Sequence, residues 1–105
     1  MPIMRNAFVD QGKIATAVRK AQKALGPDVV RIRYSLGEDW IGESAAFFRI
    51  VLSDDASHIV RLREIAQRVT ATIVREVKPE ELGLQAYFNF RSVSEQAELK
   101  EESWA

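Results

Sequence analysis

The sequence predicts an α+β fold, a two-layer α/β sandwich in the order α-β-β-α-β with a C-terminal tail. Three observations predict it. Apolar residues recur at helical spacing in two separate stretches: Ile14, Val18, Ala21 and Leu25, then Leu62, Ile65, Ala66, Val69, Ile73 and Val77. Three shorter stretches alternate with a period of two, as strands with one packed face do. Glycines, prolines and acids punctuate the chain between these stretches.

Residues 1–9 form a short lead-in from which Ile3, Phe8 and Val9 can tuck against the core. Asp10 is suited to cap the first helix, since its carboxylate can accept a free amide of the first turn. That helix is expected over residues 11–25, with Lys13, Arg19, Lys20 and Lys23 off its apolar stripe. Gly26 accepts the left-handed position that ends a helix, and Pro27 cannot continue one. The first strand follows at about residues 28–36. Val30, Ile32, Tyr34 and Leu36 fall on one side; Val29, Arg31, Arg33 and Ser35 fall on the other. Residues 37–44, with two glycines and three acids, read as a hairpin loop. Residues 45–53 form the second strand, with Phe48, Ile50 and Leu52 opposed to Phe47, Arg49 and Val51; its near-continuous apolar run leaves the register open.

Asp54, Asp55 and Ser57 are candidate caps for the second helix. The β-branched run at residues 69–74 would also suit a strand, but the apolar stripe passes through it without a turn, which favours helix. Residues 78–83 end that helix, and residues 84–92 form the third strand: Leu84, Ala86, Phe88 and Phe90 alternate with Gln85, Tyr87, Asn89 and Arg91. Ser94 is a candidate cap for a short helix within the tail, residues 93–105.

The first two strands should form an antiparallel hairpin, and the second helix returns the chain for the third. The expected sheet is three-stranded and mainly antiparallel, in the order 2-1-3, with residues 28–36 central and both helices on one face. A third strand beside the second would instead be parallel to it. The element order is similar to that of type II KH domains, whose GxxG backbone clamp is absent here from the expected helical region.

At 105 residues the chain makes a single domain, 1–105, with enough length to bury a core without staples. Lys plus Arg and Asp plus Glu both number 15, a balance that disfavours a general nucleic-acid or anionic-membrane binder. The chain has no cysteine, so disulfides, thiolate metal sites and thiol nucleophiles are excluded. No apolar run approaches the ~20 residues that span a bilayer, and residues 1–10 do not read as a secretory signal. A soluble, cytoplasmic protein without membrane contact is expected.

Little catalytic chemistry is legible. His58, the one histidine, stands beside Asp54, Asp55 and Ser57 at the start of the second helix. It could act as a general base or metal ligand, or simply belong to a capping segment. No Ser-His-Asp order, HExxH, P-loop or GxGxxG occurs. The acids Glu38, Asp39 and Glu43 lie one strand length, roughly 25–30 Å, from Asp54 and Asp55, so they cannot share one site. Asp28 and Arg91 are expected near Asp54 and Asp55, as a polar cluster or a solvated sheet edge. No catalytic residue, cofactor or metal is assigned, and an enzyme is not favoured.

The sheet face away from the helices says more. Alternation gives it Arg31, Arg33, Phe47, Arg49, Tyr87 and Arg91, with no acid. Arginine beside aromatics suits a protein interface or the bases and phosphates of nucleic acid. The face could equally be solvated, or be covered by the tail. In that case Glu95, Glu98, Glu101 and Glu102 would neutralise the arginines, while Leu99 and Trp104 would cover Phe47 and Tyr87. Trp40 and Ile41, held in the hairpin loop between glycines, and Trp104, one residue from the end, are large apolar groups where burial is hard. The reading is a non-catalytic interaction or accessory domain that binds another protein or forms a homodimer; a nucleic-acid-binding domain is the alternative. The contact residues are Arg31, Arg33, Trp40, Ile41, Phe47, Arg49, Tyr87, Arg91 and Trp104.

Overall fold

The computed structural model describes residues 11–104; the expected lead-in and the Asp10 cap lie outside them. Helix α1 (Gln11–Leu25) leads through a 3-10 turn (Gly26–Asp28) into strand β1 (Val29–Glu38). Strand β2 (Ser44–Leu52), helix α2 (Ile59–Val77), a second 3-10 turn (Pro79–Leu82) and strand β3 (Gln85–Ser92) follow. A short helix α3 (Val93–Leu99) and a last turn (Glu102–Trp104) complete the described chain. This is the expected α+β order.

Local chemistry explains the boundaries. Gly26 takes φ 75° where α1 ends, a conformation that costs glycine little. Helix α2 runs unbroken through residues 69–74, because Val69 and Ile73 lie fully buried on its stripe while Thr72 Oγ1 donates to the Arg68 carbonyl, 2.8 Å. It ends where Lys78 turns left-handed, donates its backbone N–H to Val74 and is followed by Pro79.

The sheet corrects the expected topology. Its order is β1-β2-β3, not 2-1-3: β1 pairs antiparallel with β2, and β3 pairs parallel with β2. The physical reason is in β2. Ala45, Ala46, Phe48, Ile50, Val51 and Leu52 are all buried, from both faces of one strand. An apolar run that alternates little is what a central strand requires. β1 keeps arginines on one side and therefore serves as an edge. With β2 central, α2 becomes the crossover between neighbouring parallel strands.

A second correction concerns β1. The register slips between Val29 and Arg31, so Val30 has no partner on β2. This β-bulge reverses the expected sides at the strand's start: Val29 is 4% exposed in the core and Val30 is 42% exposed. From Ile32 onward the alternation holds.

Both helices cover one face. Ile14, Val18, Ala21 and Leu25 of α1 and Ile65, Val69, Ile73 and Val77 of α2 pack on Ile32, Phe48, Ile50 and Leu52. Phe48 stacks on Phe88, ring centroids 5.2 Å apart. Ala86, Phe88 and Phe90 of β3 close this core but are only half-buried. Among the described residues, no helix is long and apolar enough to cross a membrane.

The caps differ from expectation too. Helix α2 starts after His58, whose side chain makes no cap bond, and neither aspartate supplies one. The preceding turn is held by Ser53, whose Oγ accepts from the Ala56 N–H at 3.1 Å and whose carbonyl accepts from Ser57. Helix α3 is capped by Ser92 instead of Ser94, in a reciprocal box with Glu95. Ser94 donates instead to Asp54, from its hydroxyl at 2.6 Å and its backbone at 3.1 Å.

Candidate interaction surface

The register lays the open face out in rows across the three strands. Nearest the hairpin, Ser35, Phe47 and Tyr87 stand side by side; next come Arg33, Arg49 and Asn89; farthest are Arg31, Val51 and Arg91. Aromatic residues therefore gather at the hairpin end and arginines toward the other. The two ends meet different fates.

The arginine end is strapped down by the tail. Glu101 pairs with Arg91, and Gln96 accepts from Arg91 at 3.2 Å while its amide donates to the Glu101 carbonyl at 2.8 Å. The Trp104 ring lies against the Arg91 guanidinium, 4.3 Å from its centroid, and is 7% exposed. Arg49 donates to the Ser103 carbonyl at 2.7 Å and to Ser35 Oγ at 3.0 Å; Arg31 donates to the Trp104 carbonyl at 3.0 Å. Of the readings offered for this face, the covering tail is the one found at Arg31, Arg49 and Arg91. Its reach is shorter than expected: Leu99 is exposed, and Trp104 covers Arg91, not the aromatics.

Among the described residues, nothing comparable covers the hairpin end. Asp39 organises the loop: one carboxylate oxygen accepts the amides of Ile41 (3.1 Å) and Glu43 (2.9 Å), and the other accepts the Tyr87 hydroxyl at 2.6 Å. Gly42, at φ 83°, donates back to the Asp39 carbonyl. The Tyr87 hydroxyl, with the two amides, holds the Asp39 carboxyl below the usual aspartate range, and the same bond raises the Tyr87 phenol. Tyr87 stacks on Phe47 at 5.5 Å and meets Trp40 at 5.2 Å. Even so, Trp40 is 80% exposed and Ile41 68%. A loop tied through Asp39 by side-chain and backbone hydrogen bonds holds two large apolar side chains in water.

Of the two readings for the far end, the solvated edge with ion pairs is the closer: Asp28 and Asp55 meet through Arg61, and Arg91 does not join them. Asp28 pairs with Arg61 (3.2 Å) and Arg68 (3.0 Å), and Asp55 with Arg61. Asp54 is bound to Ser94, whose bonds lower its pKa, helped by His58 nearby. Arg91 turns onto the open face instead. No group of three or more His, Cys, Asp or Glu able to hold a metal occurs among the described residues.

The chain's fold is similar to that of a cysteine-to-serine variant of the MamM CTD. The TM-score is 0.50 and the identity 13%, with 79% of this chain and 96% of that one covered. The likeness supports the α+β arrangement and carries no residue roles. No protein-family model and no curated protein matches the sequence.

Two features escaped sequence reasoning. Ile59 and Val60, 89% and 87% exposed at the start of α2, sit ahead of its apolar stripe, which was their only signal. Gln22 of α1 binds the outer edge of β1: its amide donates to the Val30 carbonyl at 3.0 Å and its oxygen accepts the Ile32 N–H at 3.2 Å. Nothing in a helical pattern distinguishes that glutamine from a solvated one.

Proposed function

We propose that this chain is a small interaction domain whose contact surface is the hairpin end of the open face. Trp40, Ile41, Phe47 and Tyr87 form that surface, and its occupant is another protein or a second copy of the chain. One observation carries the reading: an exposed tryptophan and isoleucine are displayed on a loop that Asp39 and Tyr87 hold in one shape. A preorganised aromatic anchor loses little conformational entropy on binding, which is how contact hot spots gain affinity. The nucleic-acid reading gains no comparable observation, because Arg31, Arg49 and Arg91 are already engaged by the tail.

The test compares wild type with a Trp40→Ala/Ile41→Ser variant, in partner retention and in molar mass by light scattering. Association should weaken at least roughly tenfold, since central aromatic anchors dominate such interfaces, while the melting curve stays in place. Unchanged association in both assays would sink the reading.

A further inference from the structure

The two edges of the sheet are managed in opposite ways. Exposed edge strands invite pairing with another chain, and proteins blunt them with bulges, charges, covers or brevity. β1 has several such devices: the bulge at Val30, Arg31 and Arg33, and the Gln22 amide seated on its backbone. Among the described residues, β3 has none along most of its length. Residues 85–90, Gln-Ala-Tyr-Phe-Asn-Phe, carry no charge, no proline and no glycine, and β3 pairs with β2 without a register break. Among the described residues, no strand lies on its outer side and no backbone bond from a turn or loop reaches residues 85–91. Phe88 and Phe90 remain half-buried there.

We infer that β3 is the pairing edge for a second copy of this chain, joined antiparallel about a two-fold axis at Phe88 to make a continuous six-stranded sheet. The strand's own sequence fits that partner. A two-fold axis normal to the sheet keeps each residue on its original face. Centring it on Phe88 sets Phe88 against itself and the half-buried Phe90 against the small Ala86 on the helix side. On the open side Tyr87 meets Asn89, and Gln85 meets the partner's Arg91. The one charge of the strand thus faces a neutral hydrogen-bonding group, and no like charges oppose. Eight residues at ~3.4 Å make an edge only about 27 Å long, smaller than the contact of a tight complex, so this dimer dissociates on dilution. The inference stands apart from the hairpin reading, and each can fail alone.

Sedimentation equilibrium from micromolar to millimolar protein, paired with amide hydrogen exchange at both extremes, tests it. The expected result is a monomer–dimer equilibrium in which outward-facing β3 amides become protected as concentration rises, while β1 edge amides do not. Gln85 is exposed, so substitutions there spare the fold. Gln85→Lys should weaken the dimer, at most roughly thirtyfold for two symmetry-related like-charge pairs, because Glu101 already pairs with each Arg91. Gln85→Glu should tighten it, and Trp40→Ala should leave the concentration-dependent β3 protection unchanged, whatever it does to contacts through the hairpin. A monomer throughout, protection confined to other residues, or indifference to the charge at position 85 overturns the proposal. So does β3 protection that is independent of concentration and disappears when residues 1–10 are removed, since the chain would then be covering its own edge.

Discussion

The two tryptophans stand toward opposite ends of one sheet face, and they do opposite things. Trp104 is 7% exposed, lies against Arg91 and gives its carbonyl to Arg31. Trp40 is 80% exposed, although Tyr87 lies 5.2 Å away. One surface thus divides its work between its two ends. At the arginine end, guanidinium groups that would otherwise draw ligands are occupied by carbonyls, an acid and an aromatic ring from the same chain. At the hairpin end, hydrogen bonds are spent on fixing the loop's shape, and the apolar groups it carries are left without a cover among the described residues.

The largest effect is expected from removing the buried ring of the two. Trp104→Ala deletes a large buried ring together with its cation–π contact, and should destabilise the fold by about 3 kcal/mol. For a domain of this size that is a fall of roughly 12–24 °C in melting temperature. Thermal unfolding by circular dichroism measures it. A melting temperature within a degree or two of wild type would mean that the strap contributes nothing to stability and that the arginine face is effectively free.

A smaller effect is expected at Tyr87. Tyr87→Phe keeps the ring stack on Phe47 and removes only the hydroxyl bond to Asp39. The melting temperature should fall, but by less than for Trp104→Ala. The Asp39 carboxyl should also move up toward the usual aspartate range, having lost the largest influence that lowers it. A carboxyl NMR titration reads that shift directly, and an unmoved Asp39 would deny the bond its role in the loop.

Acid provides a milder test of the same loop. The folded-state pKa of Asp39 is depressed, so its contribution to stability is complete above the ordinary aspartate value of ~3.9 and is lost as pH falls through the lower folded value. Tyr87 shows the opposite sign: its pKa is raised, so its contribution is complete below ~10 and is lost as pH rises through the higher folded value. Trp40 fluorescence should therefore be flat between these limits and change below pH ~4. A transition between pH 5 and 8 would require a titrating group other than this pair.

How much of this was legible depends on what each residue's neighbours in sequence reveal. The helices were readable because Ile14, Val18, Val69 and Ile73 repeat with the helical period whatever they pack against. The strands were readable too, except at Val30, where a bulge inserts one residue and flips the alternation without a glycine or proline to signal it. Strand order was misplaced because the arginine-bearing first strand alternates most cleanly. Clean alternation marks a strand with one wet face, whereas the unbroken apolar run of β2 was the mark of the centre. On the surface, alternation gave the right side chains for the open face. It could not give the path of residues 99–104, which depends on long-range bonds to Arg31 and Arg49. The partners of Asp28 were hidden for the same reason: Arg61 and Arg68 lie far from it in sequence, yet they hold it at a solvated edge where Arg91 does not reach.

The smallest expected effect on stability is the one that separates the two tryptophans. Trp40→Ala removes a ring that is mostly in water, and its contact with Tyr87 is a single tilted pair. Surface truncations of this kind usually change stability by less than ~0.5 kcal/mol, about one-sixth of the Trp104 effect. If the ring is there to be bound, its loss should instead appear in association, where truncating a central aromatic anchor costs ~2 kcal/mol or more. The same substitution type at two tryptophans of one face should therefore give a crossed result: large in melting and absent in binding for Trp104, absent in melting and large in binding for Trp40. A Trp40→Ala protein that melts several degrees lower would place Trp40 among the residues that build the domain, and the hairpin end would lose its standing as a contact surface.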